Sequence, residues 1–390
     1  MNSYGKLYTI IILALLYLAA YVSGGDYNSI ALYGLIPLAF AVTFFYTSAT
    51  KVNKYFNILV CLYLWVFFAA LFTSDIGVSL VQIKQILGCA ILCYVIAVNA
   101  RDEKVVPWLY VIFLITYIVD INYVINNVIG VIDVGEERME DDRMNANSLA
   151  YSTFYATFIM FIFGEIVSKK WLRRLFRLMF FGIIPLFLWI AYVTASRQMM
   201  IIQIPLIAIL LFLRYWTYGG KYARTLFVLS MCFVLPILLK YVMSIFEDSL
   251  LIERSEDIEG DARLVLIRET IEIGLKNPIV GVGPGCVQLY TTEQTFAHNT
   301  FLELFAGTGV IGVILFVVML WKYLVAQIRR YVDSRDRIFL YFVIFGIFFI
   351  IDQVFYVFYS SLYLISFFIL VATHSETYYQ NKMKTLNNVR

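Results

Sequence analysis

Long apolar runs alternate with short polar breaks along almost the whole of this chain. A helix crosses ~30 Å of hydrocarbon in roughly 17–25 residues. Runs of about that length fall near 7–23, 28–48, 56–73, 77–98, 105–125 and 147–167. Six more fall near 177–195, 199–216, 225–246, 299–320, 338–353 and 356–373, so the pattern predicts about twelve membrane helices. The last two are short and parted only at Asp352-Gln353, which leaves a hairpin dipping into the bilayer as the alternative. No small-residue cleavage site follows the first run, so it is expected to be a retained helix.

Two polar breaks are longer than the rest. Residues 126–146 form an acidic outer loop (GEERMEDDR), and residues 247–298 form a large outer loop with room for structure of its own. Within the second, Asp261 is a candidate N-cap and Asn277-Pro278 a stop, so a helix is predicted over 261–276. Leu264, Ile267, Ile271 and Leu275 share one stripe of that helix, with Arg263 and Arg268 at its two edges. Such a helix lies on a membrane surface with its guanidinium groups at headgroup level. The rest reads as a single transmembrane domain over 1–390, without the internal repeat that inverted-repeat transporters carry.

Composition agrees with this picture. The 390 residues are 62% hydrophobic and 15% charged, with a mean hydropathy of +0.81. Soluble domains carry about 25% charged residues, so a soluble protein is excluded and a nucleic-acid partner is not expected. The net charge of +3 matters less than where the charges fall. Most lysines and arginines lie in one set of alternate loops; Arg138, Arg143, Arg197, Arg254, Arg263, Arg268 and Lys276 make up the other set. By the positive-inside rule both termini are cytoplasmic and the two long loops face out. Of five cysteines only Cys286 lies in a loop, so no disulfide framework is implied.

Candidate chemistry gathers in the stretch from Asn277 to Gly312, NPIVGVGPGCVQLYTTEQTFAHNTFLELFAGTGVIG. Its GVGPG follows a helix and lacks the Gly-Lys-Ser/Thr of a phosphate loop, so it reads as a tight turn leading back to the membrane. His298 is the last polar position before an apolar helix, and an imidazole there can act as general base. The bland alternative is a helix-boundary polar residue. Glu303, one turn on, either orients that imidazole or favours the helix N-terminus. The other histidine, His374, falls in the cytoplasmic tail, which argues against a histidine metal site.

Arg197 alone reads as a snorkelling interfacial arginine. Lys84, Arg143, Lys240, Arg263 and Arg268 are expected at a similar depth, and together these cations suggest an outer-leaflet anion site. Asp120, Glu165 and Asp352, in or near helices, raise a transporter's proton path, and their scatter near helix ends favours boundary positions instead.

Four pieces of the sequence, in order, resemble the O-antigen polymerase/ligase superfamily of bacterial envelope glycosyltransferases. Asn147-Ser148-Leu149-Ala150 is similar to its Asn-x-Leu-Ala, and Ser196-Arg197 to its Ser-Arg pair. Ala262-Arg263 with the run Asn277 to Gly285 resembles its arginine, helix and Asn-Pro-Gly-x-Gly. His298-Asn299-Thr300-Phe301-Leu302-Glu303 resembles its His-Asn-x-Phe-Leu, continued by Gly309 to Gly312. Ala262 replaces the glycine usual before the loop arginine.

The resemblance implies an all-α polytopic membrane protein of multi-helix glycosyltransferase architecture, working without metal or cofactor. It implies an undecaprenyl-diphosphate-linked oligosaccharide as donor, at the extracytoplasmic face of the bacterial cytoplasmic membrane. Arg197 and Arg263 would bind the diphosphate and His298 would assist the acceptor hydroxyl, making these three the candidate catalytic residues. Arg268, Lys84, Arg143, Lys240, Asn299, Glu303 and Tyr290 are candidate substrate contacts. Membrane lipid and a chain-length regulator protein are the candidate partners. The expected reaction is polymerisation onto a lipid-linked repeat unit of O-antigen or capsule. The alternatives are ligation to lipid A core or another acceptor, and a lipid-linked oligosaccharide flippase.

Overall fold

The computed structural model of the chain describes residues 31–46, 53–127, 146–167, 169–194, 197–217, 219–229, 262–355 and 362–389, with isolated positions 5, 7, 232, 236 and 240. No strand occurs among the described residues. In order, the helices are α1 (Ile36–Tyr46), α2 (Lys54–Ala69), α3 (Ile76–Asn99), α4 (Val106–Asn127), α5 (Ala146–Ile166) and α6 (Lys170–Thr194). There follow α7 (Arg197–Leu211, widening into Phe212–Thr217), α8 (Lys221–Leu229), α9 (Ala262–Lys276), α10 (Thr300–Ser334), α11 (Arg337–Asp352) and α12 (Leu362–Val389). Among the described residues, five helical stretches are long and apolar enough to cross a membrane: Lys54–Phe72, Ile76–Asn99, Lys170–Ala191, Met200–Thr217 and Thr300–Ser334. The predicted span 7–23, most of 225–246, the acidic loop 128–145 and the loop segment 247–261 lie outside the described residues.

Residues 1–115 and 261–390 form one compact unit, and residues 116–260 form the other. In the first, α10 packs against α2, α9 and α11, while α3 packs against α1, α2 and α12. α2 and α10 run antiparallel. The Trp65 indole donates to the Thr308 carbonyl at 2.8 Å near one end, and the Tyr55 and Tyr323 rings meet edge-on near the other. Tyr323 also touches Phe345 and Phe368 and donates to the Phe342 carbonyl at 2.9 Å, which ties α10 to α11 and α12. Such aromatic pairs add about 0.5–1.5 kcal/mol each beyond the area they bury.

Helix starts are set by short polar side chains. Asn53, Asp75, Asn299 and Asp336 each sit in extended backbone and accept an N–H from the first turn that follows. Each such cap is worth about 1 kcal/mol.

The two ends of this unit differ in charge. Lys54, Arg101, Lys104, Arg329, Arg330, Arg335, Arg337 and Lys382 gather where α2 and α11 begin and α3 and α10 finish. The opposite end carries the 70–75 turn and the loop from Asn277 to Asn299.

α10 and α12 run well past the predicted spans 299–320 and 356–373, to Ser334 and Val389. Past an interruption at Gly309, the stretch from Val310 to Ser334 extends about 37 Å at 1.5 Å per residue, so α10 projects beyond a hydrocarbon layer. Its projecting turns are anchored where Gln327 and Arg330 both donate to the Ser375 hydroxyl at 2.9 Å. The same packing corrects the placing of His374 in a tail. It is buried in α12, with Nδ1 3.0 Å from the Tyr110 hydroxyl and its ring against Phe342.

In the second unit α5 packs on α6 and α7. Glu165, 2% exposed, pairs with Arg177 at 3.3 Å and with buried Arg214 at 3.2 Å. The sequence reading of Glu165 as a mere boundary residue missed this pairing, because its partners are 12 and 49 positions away in sequence. Removing one member of a buried ion pair costs about 3–5 kcal/mol, since the other charge stays buried. Glu165→Ala is therefore expected to lower the thermal unfolding midpoint in detergent much more than Arg177→Ala, whose guanidinium is 36% exposed.

Candidate functional site

The site end of the first unit is built around an interruption in α10. Gly309 has φ 73° and ψ −177°, which breaks the helical hydrogen-bond ladder inside Thr300–Ser334. This backbone region is essentially open to glycine alone. A break strands carbonyls that a continuous helix would satisfy. Here the Val282 N–H donates to the Ala306 carbonyl at 2.9 Å, and the Gly283 N–H donates to the Gly307 carbonyl at 3.0 Å. The Trp65 indole serves the Thr308 carbonyl. In return, the Val310 N–H donates to the Pro278 carbonyl at 2.8 Å. The loop 278–283 thus lies in the helix break like a short added strand.

Gly281 makes this approach possible. Its φ is +69°, and a Cβ there would sit 2.3 Å from the Gly307 carbonyl carbon. The GVGPG segment is therefore more than a tight turn. On its other side Val282 accepts at 3.0 Å from the Ser74 N–H, and Cys286 is buried beside Thr73 and Ser79. All five cysteines are free thiols.

α9 presents three faces. Leu266, Thr270 and Ile273 are buried, and Gly274 receives the Phe305 ring of α10. Arg263 is half-buried, and its spacing of three, seven and ten residues from Leu266, Thr270 and Ile273 puts it on this packed face. The predicted apolar stripe is a second face and stays exposed, with Leu264 at 51% and Leu275 at 65%. Arg268, on the edge of that stripe, is exposed as well. The third face carries Glu269, Glu272 and Lys276. With Phe72, Asn277 and Tyr290 it lines an open cleft of about 380 Å³.

From the cleft the chain continues through a short helical turn, Val287–Leu289, and reaches α10 at His298-Asn299. Glu269 fastens this segment to α9 by accepting the Thr292 N–H at 3.0 Å and the Thr292 hydroxyl. Those two bonds hold the Glu269 carboxyl below its ordinary pKa.

His298 itself is half-buried with φ 49°, in the left-handed region. A non-glycine residue pays roughly 1–3 kcal/mol to stay there, and the flanking residues enforce it. Asn299 Oδ1 caps α10 by accepting from Phe301 and Leu302 at 3.0 and 3.1 Å. Glu303, fully buried, accepts the Ala297 N–H at 3.3 Å. The imidazole is thus carried on a backbone pinned on both sides, at the mouth of a helix.

The remaining candidates lie as follows. Lys84 is exposed on α3, on the side opposite Gln82, the residue that packs beneath Gly285. Tyr290 is 51% exposed. In the second unit Arg197 opens α7, with only its backbone described, and Lys240 is helical and exposed. Arg143 lies outside the described residues. The structure therefore joins Arg263, Asn299, Glu303 and Tyr290 to His298 through one packed segment, whereas Lys84 faces away from it.

Sequence reasoning missed the acidic face of α9 and the break at Gly309. The glycines at 307, 309 and 312 were the available signal, since three in six residues is poor helix composition. Among the described residues no cluster of three or more metal-ligating side chains occurs.

Residues 148–317 match the family model described as O-antigen ligase. This match spans Arg197, Lys240, Arg263, Arg268, Tyr290, His298, Asn299 and Glu303, and leaves out Lys84 and Arg143. No curated protein matches the chain.

Two outcomes test this construction. Gly309→Ala should cost roughly 1–3 kcal/mol from backbone strain alone, plus the clash of its Cβ at 1.9 Å from the Ile279 carbonyl. Gly182→Ala meets nothing within 4 Å and should leave the unfolding midpoint unchanged or raised. The Glu269 clasp should respond to acid. Its folded pKa lies below the unfolded one, so its contribution is complete above the unfolded value and fades as pH falls through the folded value. Limited proteolysis between 287 and 299 should accelerate on acidification below pH ~4.5, the ordinary glutamate range. In Thr292→Val it should be fast at every pH.

Proposed function

We propose that this chain, whose residues 148–317 belong to the O-antigen polymerase/ligase superfamily, is a membrane glycosyltransferase acting on a glycan carried by undecaprenyl diphosphate. The observation that carries the reading is His298, held in a strained backbone between the Asn299 cap and buried Glu303, on a segment packed against the arginine-bearing α9. Residues fixed at such a cost at a helix mouth are suited to chemistry rather than to packing.

The sugar C1–O bond to the diphosphate breaks, and its electron pair leaves on the diphosphate oxygen. The acceptor hydroxyl oxygen forms the new bond to C1, and its proton passes to the His298 imidazole. Arg197 and Arg263 are the proposed holders of the diphosphate, since a guanidinium makes paired, charge-assisted hydrogen bonds to phosphate oxygens. Arg268 and Asn299 are proposed as further substrate contacts.

The site is proposed to face away from the cytoplasm. The gathering of basic side chains at the opposite end of the first unit supports this orientation. A bacterial inner-membrane location with cytoplasmic termini is part of the same proposal.

We assign the reaction as polymerisation, transfer of the growing glycan onto a lipid-linked repeat unit. Ligation to lipid A core or another acceptor is the second reading, favoured by the description of the matched family. A deletion strain separates the two. Loss of long chains with single-repeat caps retained identifies a polymerase, and loss of every capped core identifies a ligase.

One stabilising donor to a developing anion is worth roughly 2.7–4 kcal/mol. Arg197→Ala, Arg263→Ala and His298→Ala are each expected to lower turnover about 100-fold or more in membranes supplied with lipid-linked donor. Near wild-type turnover in any of the three removes that residue from the mechanism.

A further inference from the structure

The cleft beside α9 has a chemistry different from that of a diphosphate site. Two carboxylates, Glu269 and Glu272, oppose a single cation, Lys276, so the balance of charge repels a phosphate. The remaining lining pairs polar groups with exposed rings. Asn277 offers an amide, while Tyr290 and Phe72 are 51% and 56% exposed at the rim. At about 380 Å³ the cleft lies within the range of small-molecule sites, about 300–1,000 Å³.

Two carboxylates and an amide, with aromatic faces beside them, match one ligand class. Sugars carry adjacent hydroxyls that donate to carboxylates, and ring C–H faces that pack on aromatic rings. We infer that this cleft binds a saccharide and is the acceptor-glycan subsite, an inference that rests on the transferase reading above.

The three faces of α9 then have separate tasks. Arg263 sits on the packed face, and the exposed apolar stripe of Leu264, Ile271 and Leu275 suits lipid. The Glu272 face suits a hydrated glycan. Glu269 is fixed in orientation by Thr292, so the cleft wall is preformed rather than recruited.

The test uses the full chain in lipid nanodiscs, with lipid-linked repeat unit extracted from the producing cells as substrate. Glu272 and Tyr290 are exposed, so substitution there leaves the packing intact. Tyr290→Ala and Glu272→Gln should each raise KM for the acceptor about tenfold, equivalent to ~1.4 kcal/mol, with kcat within about twofold. Tyr290→Phe keeps the ring and should restore the wild-type KM. An unchanged acceptor KM in both variants, beside an active wild type, overturns the inference and leaves the transferase reading standing.

A second readout does not depend on turnover. The Tyr290→Trp protein should show saturable fluorescence quenching by oligosaccharide released from the cells' own surface polysaccharide. If wild type transfers nothing, the transferase reading falls, and the acceptor role falls with it. Quenching would then identify a saccharide site of another purpose, and its absence would overturn the saccharide site too.

Discussion

The backbone hydrogen bonds that fill the break in α10 are the constraint on which the site end of this protein depends. A broken helix in an apolar setting exposes carbonyls whose desolvation costs several kcal/mol each. Val282, Gly283 and the Trp65 indole meet that demand, and in doing so fix the loop from Asn277 to Asn299 against the bundle. The same bonds fix where α9 ends, because the Pro278 carbonyl is itself held by Val310. Irregular backbone is tolerated at membrane depth where it is enclosed by protein, and here the enclosed stretch leads to His298.

From this anchor the chemistry can be followed outward. The pinned loop sets the direction from which the chain enters α10, and the Asn299 cap with Glu303 then forces His298 into its left-handed conformation. Packing of Gly274 on Phe305 sets the rotation of α9. That rotation decides which of its two arginines approaches the bundle: Arg263 turns to the packed side and Arg268 stays exposed. Two residues that a helical wheel places on the two edges of one stripe are made different by how α9 packs against α10.

Much of the architecture was legible in the apolar pattern, because span length is a strong local signal. Among the described residues, the five stretches long and apolar enough for a bilayer each overlap a predicted run, and α9 occupies the range expected from its stop at Asn277-Pro278. The extent of α10 and α12 was not legible. Their projecting turns are polar, and their stability comes from contacts such as Arg330 with Ser375 that join distant positions. The motif around His298 was visible, yet the role of Glu303 in holding Ala297 is a matter of geometry over six residues that periodicity does not report. The GVGPG turn shows the limit most clearly. Its glycines announce unusual backbone, and only the partner carbonyls at Ala306 and Gly307 reveal what that backbone is for.

A structure of the full chain in a lipid bilayer with undecaprenyl diphosphate bound tests the central claim most directly, that the arginine-bearing helix and the pinned histidine serve one lipid-linked diphosphate. The account predicts phosphate oxygens about 2.7–2.9 Å from the Arg263 guanidinium, with His298 opening onto the same bound lipid. Density for the diphosphate at the opposite end of the unit, beside Lys54 or Arg337, would contradict it.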